Sequence, residues 1–197
     1  MSPESQVETP TRSLLGSLSL LHTHLTHLLP AVPLSTAAQL YRAISREVSQ
    51  SVITRTVLGA HGRFNGNGAE RFGLDWEQGW AGAIRAIVKE TAPSQSGQQA
   101  SSVTVASDWT MGLDATQPWR YLRDVATLLA LPSNSSGAST SSTGWTLGRA
   151  TMLLWNDDGC DDNDGWRRMR QELGLTSSEL SKDRAKEVVK RRIECVR

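Results

Sequence analysis

The chain has 197 residues, enough to bury a substantial core, and its length fits one domain. Lys and Arg number 21 against 20 Asp and Glu, a net charge of +1, so no global field draws the protein to nucleic acid or to an anionic membrane. Its two cysteines, Cys160 and Cys195, are too few for a disulfide framework and suit a reducing compartment.

Residues 1–13 are polar, carry Pro3 and Pro10 and show no hydrophobic period, the composition of a disordered start. Glu4 and Glu8 precede the lone Arg12, which argues against the basic opening of a signal peptide and for the cytosolic side. Leu14, Leu15, Leu18, Leu21, Leu25, Leu28 and Leu29 then recur at spacings of three and four, predicting an amphipathic helix that Pro30 and Pro33 end. His22, His24 and His27 interrupt this stretch, which falls short of the roughly 20 apolar residues of a membrane span. With its Pro-rich turn it forms a segment 14–35, separate from a bundle over 36–197.

Ser35 or Thr36 is placed to cap the next helix. Its apolar face is predicted from Leu40, Ile44, Val48 and Val52 at i+4, broadened by Ala37, Tyr41 and Val57. The pattern gives out at Gly59 and Gly62, and Arg63 to Gly68 reads as a turn, because Asn and Gly tolerate positive φ. A second long helix is predicted from about Ala69, with Phe72, Trp76, Trp80, Ile84 and Val88 on one face. Gly73, Gly79 and Gly82 within it each cost about 1 kcal/mol relative to Ala, so they imply either close helix packing or a break.

Two low-complexity stretches, 93–107 and 133–144, are rich in Ser with Gln, Thr and Gly and read as loop insertions. Between them Pro118 stands in the first turn of a helix whose buried face is Trp119, Leu122, Val125, Ala126, Leu128 and Leu129. Leu147, Ala150, Leu153 and Leu154 mark a further short helix, followed by an Asp-rich loop at 157–164. Leu180 and Ser181 open a last helix, Leu180 packing on Ala185 as a hydrophobic staple, with Val188, Val189, Ile193 and Val196 inward. The only brief alternation of strand type, Ser101 to Ala106, sits in a polar loop, so the fold class is all-α, an antiparallel helical bundle with two low-complexity loop insertions.

No constellation of catalytic type is present. The three histidines of 22–27 lack a nearby Cys or carboxylate and read as a polar helix face, so no metal is expected there. In the run Asp157 to Gly165, placing Gly165 at the glycine position of an EF-hand loop puts Cys160 first and Gln171 twelfth, and both anchoring carboxylates are missing. No nucleophile elbow, P-loop or H-E-x-x-H occurs, and neither an enzyme nor a cofactor is expected. Asn134-Ser135-Ser136 is formally a glycosylation sequon, unused on the cytosolic side. From Trp166 to Arg197 ten Lys and Arg face five acids. This run is either a surface for nucleic acid or acidic lipid centred on Lys190, Arg191 and Arg192, or a set of cations offsetting helix C-terminal dipoles. Trp109, Trp145 and Trp166 stand in or beside loops, where a tryptophan either caps the core or anchors a partner.

Several segments recur in a recognisable order. Leu40-Tyr41-Arg42-Ala43-Ile44 leads through Val57-Leu58 and Phe64-Asn65 to Gly68-Ala69-Glu70-Arg71-Phe72-Gly73-Leu74-Asp75 and Trp80; Gln117 to Leu122 with Ala126 to Leu131 follows, then Leu173-Gly174-Leu175, Leu180 and Ala185 to Arg192. In this order they resemble the C-terminal region of the RINT/TIP family, over roughly residues 36–197 apart from the two low-complexity loops. The chain departs from the family pattern in its short length, its Ser-rich inserts and its acidic 157–164 loop. The resemblance implies a peripheral, non-enzymatic subunit of the Dsl (in animals NRZ) complex, a helical-rod tether of the class that includes exocyst, COG and GARP. It implies vesicle tethering in Golgi-to-ER retrograde transport at the cytoplasmic face of the endoplasmic reticulum, with ER SNAREs and other tether subunits as direct partners and COPI vesicles as indirect ones. The family-motif residues together with the bundle core read from the helical spacing are Leu40, Ile44, Val48, Gly68, Ala69, Phe72, Asp75, Trp76, Trp80, Ile84, Trp119, Leu122 and Leu128.

Overall fold

A computed structural model describes residues 10–59, 62–91, 115–133, 144–155 and 162–192. Among the described residues the fold is all-α, and the one extended pairing is an isolated parallel bridge between Phe64 and Arg192. The chain divides into two compact units, the first Met1–Ile44 with Leu74–Gln117 and the second Ser45–Gly73 with Pro118–Arg197. The low-complexity stretch 93–107, residues 134–143, Trp109, both cysteines, Ile193 and Val196 lie outside the described residues.

In the first unit, α1 (Arg12–Leu28) runs into a single 3-10 turn, Leu29–Ala31. Pro30 is tolerated there because the first turn of a helix needs no amide from it. Of the leucine stripe, Leu18, Leu25 and Leu29 are buried and Leu14 and Leu21 half-buried, whereas Leu15 and Leu28 stay exposed, as does Leu20 outside the stripe. The helix begins two residues before its periodicity, since Thr11 is its N-cap and the Thr11 carbonyl accepts from the Leu14 amide at 2.9 Å. Helix α2 (Leu34–Val52) contributes its first part here and starts one residue ahead of Ser35, so Ser35 and Thr36 lie inside its first turn. Ala37, Ala38 and Tyr41 form its buried face in this unit, and the Tyr41 hydroxyl donates to the Ala115 carbonyl at 2.6 Å. A π-helical turn, Asp75–Trp80, and α4 (Ala81–Thr91) complete the unit, and α1 packs on both.

In the second unit the remainder of α2 continues into another π-helical turn, Ile53–Val57, closed by the Leu58 amide donating to the Ile53 carbonyl at 2.8 Å. The turn expected over 63–68 is shorter than predicted. Helix α3 (Gly66–Leu74) already begins at Gly66, because Asn65 Oδ1 accepts from the Gly68 amide at 2.8 Å and satisfies a free N-terminal donor. A 3-10 turn, Gln117–Trp119, leads into α5 (Arg120–Leu129), which buries Leu122, Val125, Ala126, Leu128 and Leu129 as its period predicts.

Helix α6 (Leu147–Trp155) follows, and then an element that the acidic run conceals, α7 (Asp162–Glu172). Asp residues at its start suit the positive end of a helix, and Trp166 and Met169 are its buried members. Gly174, at φ 65°, ends it, and the Leu175 amide reaches back to the Arg170 carbonyl at 2.8 Å, the long bond of a Schellman cap. Last comes α8 (Lys182–Val189), where the Ser181 hydroxyl accepts from the Arg184 amide at 3.2 Å and Leu180 and Ala185 are both buried, as a capped and stapled helix requires.

The buried face of α2 differs from the predicted one. Leu40, Ile44, Val48 and Val52 are half-buried, while Ala38, Tyr41, Ser45, Ser49, Ile53 and Val57 are buried. Small Ser side chains at 45 and 49 occupy the deepest positions, a placement that polarity alone conceals.

Of the glycines at 73, 79 and 82, two mark close packing. A Cβ on Gly73 would stand 3.0 Å from the Ala130 Cβ, and one on Gly79 would stand 3.0 Å from Leu14 Cδ2, whereas one on Gly82 would meet nothing within 4 Å. The Ala130 methyl is fixed to the backbone and cannot rotate away. Replacing Gly82 by Ala is therefore expected to stabilise the protein by up to about 1 kcal/mol through helix propensity. Gly73→Ala is expected instead to lose about 1–2 kcal/mol by overpacking, and Ala130→Gly in the same chain should restore most of it. Urea denaturation of the four chains checks the opposite signs.

Candidate functional site

The Asp75 to Ile84 stretch carries the largest group of motif residues in the first unit. An α-helix repeating every four residues would drift round its axis, and the π turn at Asp75–Trp80 inserts one extra residue, with the Ala81 amide bonding the Trp76 carbonyl. Trp76, Gly79, Trp80, Ala81, Ile84 and Ile87 are thereby buried, while Val88 is half-buried. Asp75 holds the start of α1: the Thr11 amide donates to Oδ1 at 2.7 Å and the Thr11 hydroxyl to Oδ2 at 2.6 Å. A carboxylate at this point also faces the positive end of the α1 dipole.

In the second unit Gly68 and Phe72 are half-buried, Ala69 is fully buried, and the Phe72 ring meets Phe64 edge to face at 5.8 Å. Trp119, Leu122 and Leu128 are closed off in the core.

The Lys190, Arg191, Arg192 triplet is divided by the fold. Arg192 is only 2% exposed. Its Nη1 donates to the carbonyls of Leu129 and of Leu131, the latter at 3.0 Å, and its Nη2 donates to the Ser133 hydroxyl at 2.8 Å. The acceptors stand where α5 ends, so a guanidinium supplies donors to carbonyls that have no intrahelical partner. Arg191 does the same at the end of the Ile53–Val57 turn, with Nη2 at 2.8 Å from the Leu58 carbonyl and Nη1 at 3.4 Å from that of Gly59, while the Arg191 carbonyl accepts from the Phe64 amide at 2.8 Å. Lys190 remains exposed, its Nζ 5.7 Å from the centre of the Trp155 ring. A basic surface centred on this triplet thus presents one outward cation, with two guanidiniums directed at backbone.

Hydropathy also conceals a buried carboxylate. Asp124 is fully buried, takes Arg123 Nε and Nη2 at 3.0 and 2.8 Å, and accepts the Ser177 amide at 2.7 Å. Arg123 Nη2 extends to the Gly174 carbonyl and the Thr176 hydroxyl, and Arg170 Nη2 holds the Ser177 carbonyl at 2.8 Å, so the whole 174–177 connection is clamped to α5 and α7. Of the loop tryptophans, Trp145 and Trp166 are buried, and the Trp145 indole donates to Glu172 Oε2 at 2.8 Å. Among the described residues of the second unit, the exposed large apolar side chains are instead Met152 and Trp155 on α6. Among the described residues no three His, Cys, Asp or Glu side chains are grouped to hold a metal, and no helix is long and apolar enough to cross a membrane.

Comparison of the chain with protein-family models, with curated proteins and with solved structures finds no match.

Removing the Arg192 guanidinium leaves buried carbonyls without donors, so Arg192→Ala is expected to lower stability by about 3 kcal/mol. Arg192→Lys, a point charge on a flexible stem, should recover less than half of that. A shift of the denaturation midpoint at constant slope is the readout. Burial pushes the Tyr121 hydroxyl above its ordinary value of 10.0. The folded state then keeps a proton that the unfolded chain has released, so this contribution is intact below pH 10 and is lost as pH rises from there through the folded value. Tyr121→Phe should flatten that alkaline decline relative to the parent chain in a pH series of melting curves.

Proposed function

We propose that this chain acts without chemistry, by protein contacts, as a RINT/TIP-like subunit of an ER vesicle-tethering complex in Golgi-to-ER retrograde transport. The observation that carries the reading is the ordered set of family-like segments in an all-α chain: Leu40–Ile44 on α2, Gly68–Leu74 forming most of α3, Asp75 to Trp80 as a π turn, Trp119 to Leu122 opening α5, and Ala185 to Arg192 closing α8. Rigid helices with buried aromatic groups suit a scaffold, because a binding face held in one conformation loses less entropy on association. On this reading ER SNAREs and neighbouring tether subunits are the direct partners, COPI vesicles are reached through them, and the chain is peripheral on the cytoplasmic face of the endoplasmic reticulum.

The test is capture of partners on the full chain from a detergent extract of ER membranes, followed by mass spectrometry. Enrichment of ER syntaxins or COPI-route tether subunits, retained through a salt wash that strips phosphate-dependent contacts, is the expected result. Recovery of ribosomal RNA alone, or of nothing above a mock column, overturns the reading.

A further inference from the structure

Helix α6 turns one side to the core and the other to solvent. Leu147, Ala150 and Leu154 are buried, and Leu153 lies over Gly165 of α7, where a Cβ would stand 3.3 Å from the leucine Cγ. The other side carries Gly148, Arg149, Met152 and Trp155, all exposed and all in one sector of the helix by their spacings of three and four. Met152 is 77% exposed and Trp155 37%. Gly148 beside them adds no side chain that could shield either, and a Cβ there would meet nothing within 4 Å. A cation stands at each end of this apolar pair. The Arg149 guanidinium carbon is 4.1 Å from the centre of the Trp145 ring, and Lys190 Nζ, on the end of the α8 helix that packs against α6, is 5.7 Å from the centre of the Trp155 ring. On α7 and α8 the exposed Arg167, Arg168 and Arg184 each pair with a carboxylate one turn away, Asp164, Glu172 and Glu187. Arg149 and Lys190 have aromatic rings in place of carboxylates, so both keep their charge open to solvent.

We propose that the outer face of α6, together with Lys190, is a docking surface for an acidic amphipathic helix of another protein. Two apolar side chains of that helix, three or four residues apart, cover Met152 and Trp155, and its carboxylates lie against Arg149 and Lys190. An apolar centre with charges at its rim is the usual anatomy of a protein interface, and Trp and Met are the side chains that anchor one and adapt to it. The charge selects the class of partner, since two unneutralised cations favour carboxylates and repel a basic helix. Affinity for a nucleic-acid backbone or an anionic bilayer grows with the number of charges neutralised, and two cations supply little of it. The inference rests on the reading of the chain as one that works by protein contacts, and it names the surface and the chemistry of the partner.

The probe is a phage-displayed library of randomised helical peptides, selected on the full chain. Enriched clones are expected to carry an apolar pair three or four residues apart with Asp or Glu one turn beyond it on each side. A labelled synthetic peptide of an enriched sequence is then titrated onto the parent chain and its variants. Arg149→Glu combined with Lys190→Glu should weaken binding about tenfold, the factor that two exposed charge pairs allow, and a peptide with Lys in place of its acids should recover affinity for that variant alone. Met152→Ala combined with Trp155→Ala should abolish measurable binding. All four side chains face solvent, and an unchanged melting midpoint of the charge variant separates a lost contact from a lost fold. Enriched clones without acidic residues, equal affinity of the charge variant and the parent, or full binding by the Met152, Trp155 variant overturns the proposal. Vesicles of phosphatidylcholine and phosphatidylserine that bind the parent chain but not these variants overturn it in favour of a lipid surface, and a dimer of the parent chain that the same variants abolish overturns it in favour of a second copy. If the peptides behave as stated while the ER extract yields no partner, the surface stands and the tether reading falls. If the extract yields tether partners that the Met152, Trp155 variant captures equally well, the tether reading stands and this surface falls.

Discussion

The carbonyl groups at a helix C-terminus have no partner within the helix, and in a small bundle several such ends are buried where water cannot serve them. Arg192 meets this constraint at the end of α5, and Arg191 meets it at the end of the Ile53–Val57 turn. Burying a guanidinium is costly unless its donors are engaged, and the negative ends of helix dipoles are suitable neighbours for it. The two residues are adjacent, so satisfying both helix ends draws segments around 58–64, 129–133 and 191–192 to one place. Helices as short as α5, α6 and α8 are marginal alone and depend on such tertiary ties.

That role was not legible in the sequence. Three successive cations near the end of a helix look like a solvated patch, and nothing local separates a guanidinium pointing outward from one pointing at a distant carbonyl. The same holds for Asp124, one residue from the arginine that neutralises it. Other features were legible because their causes are local. Ser181 and Leu180 announce α8 through the cap and staple, and the spacing of Leu122, Val125, Ala126 and Leu129 announces α5. The leucine stripe announces α1, although only every second or third of its members is buried.

The misplacements have physical causes as well. Five Asp within 157–164 read as repulsion in a loop, yet from Asp162 onward they occupy a helix start, where the dipole favours them. Trp166, Met169 and Leu173 do carry the helical spacing, so α7 had a signal that the charge run overrode. On α2, polarity moved the predicted core one position round the helix, because Ser45 and Ser49 are buried by virtue of being small. The π turns left no trace in the pattern, since an extra residue per turn is set by what the helix packs against.

At Gly79 the choice between a break and close packing, which the sequence left open, is decided by geometry, and the outcome bears on how α1 is registered. Leu14 and Leu18 sit one turn apart over a position with no side chain, and Thr11, one turn earlier, reaches Asp75. Sliding α1 by a turn in either direction would set a leucine off the glycine and strand the Asp75 carboxylate without its amide and hydroxyl donors. The apolar stripe alone tolerates such a slide, because leucines repeat along it. Register on this face is therefore held by a glycine and a carboxylate, and those two groups, more than the area of apolar surface, determine which helix belongs there.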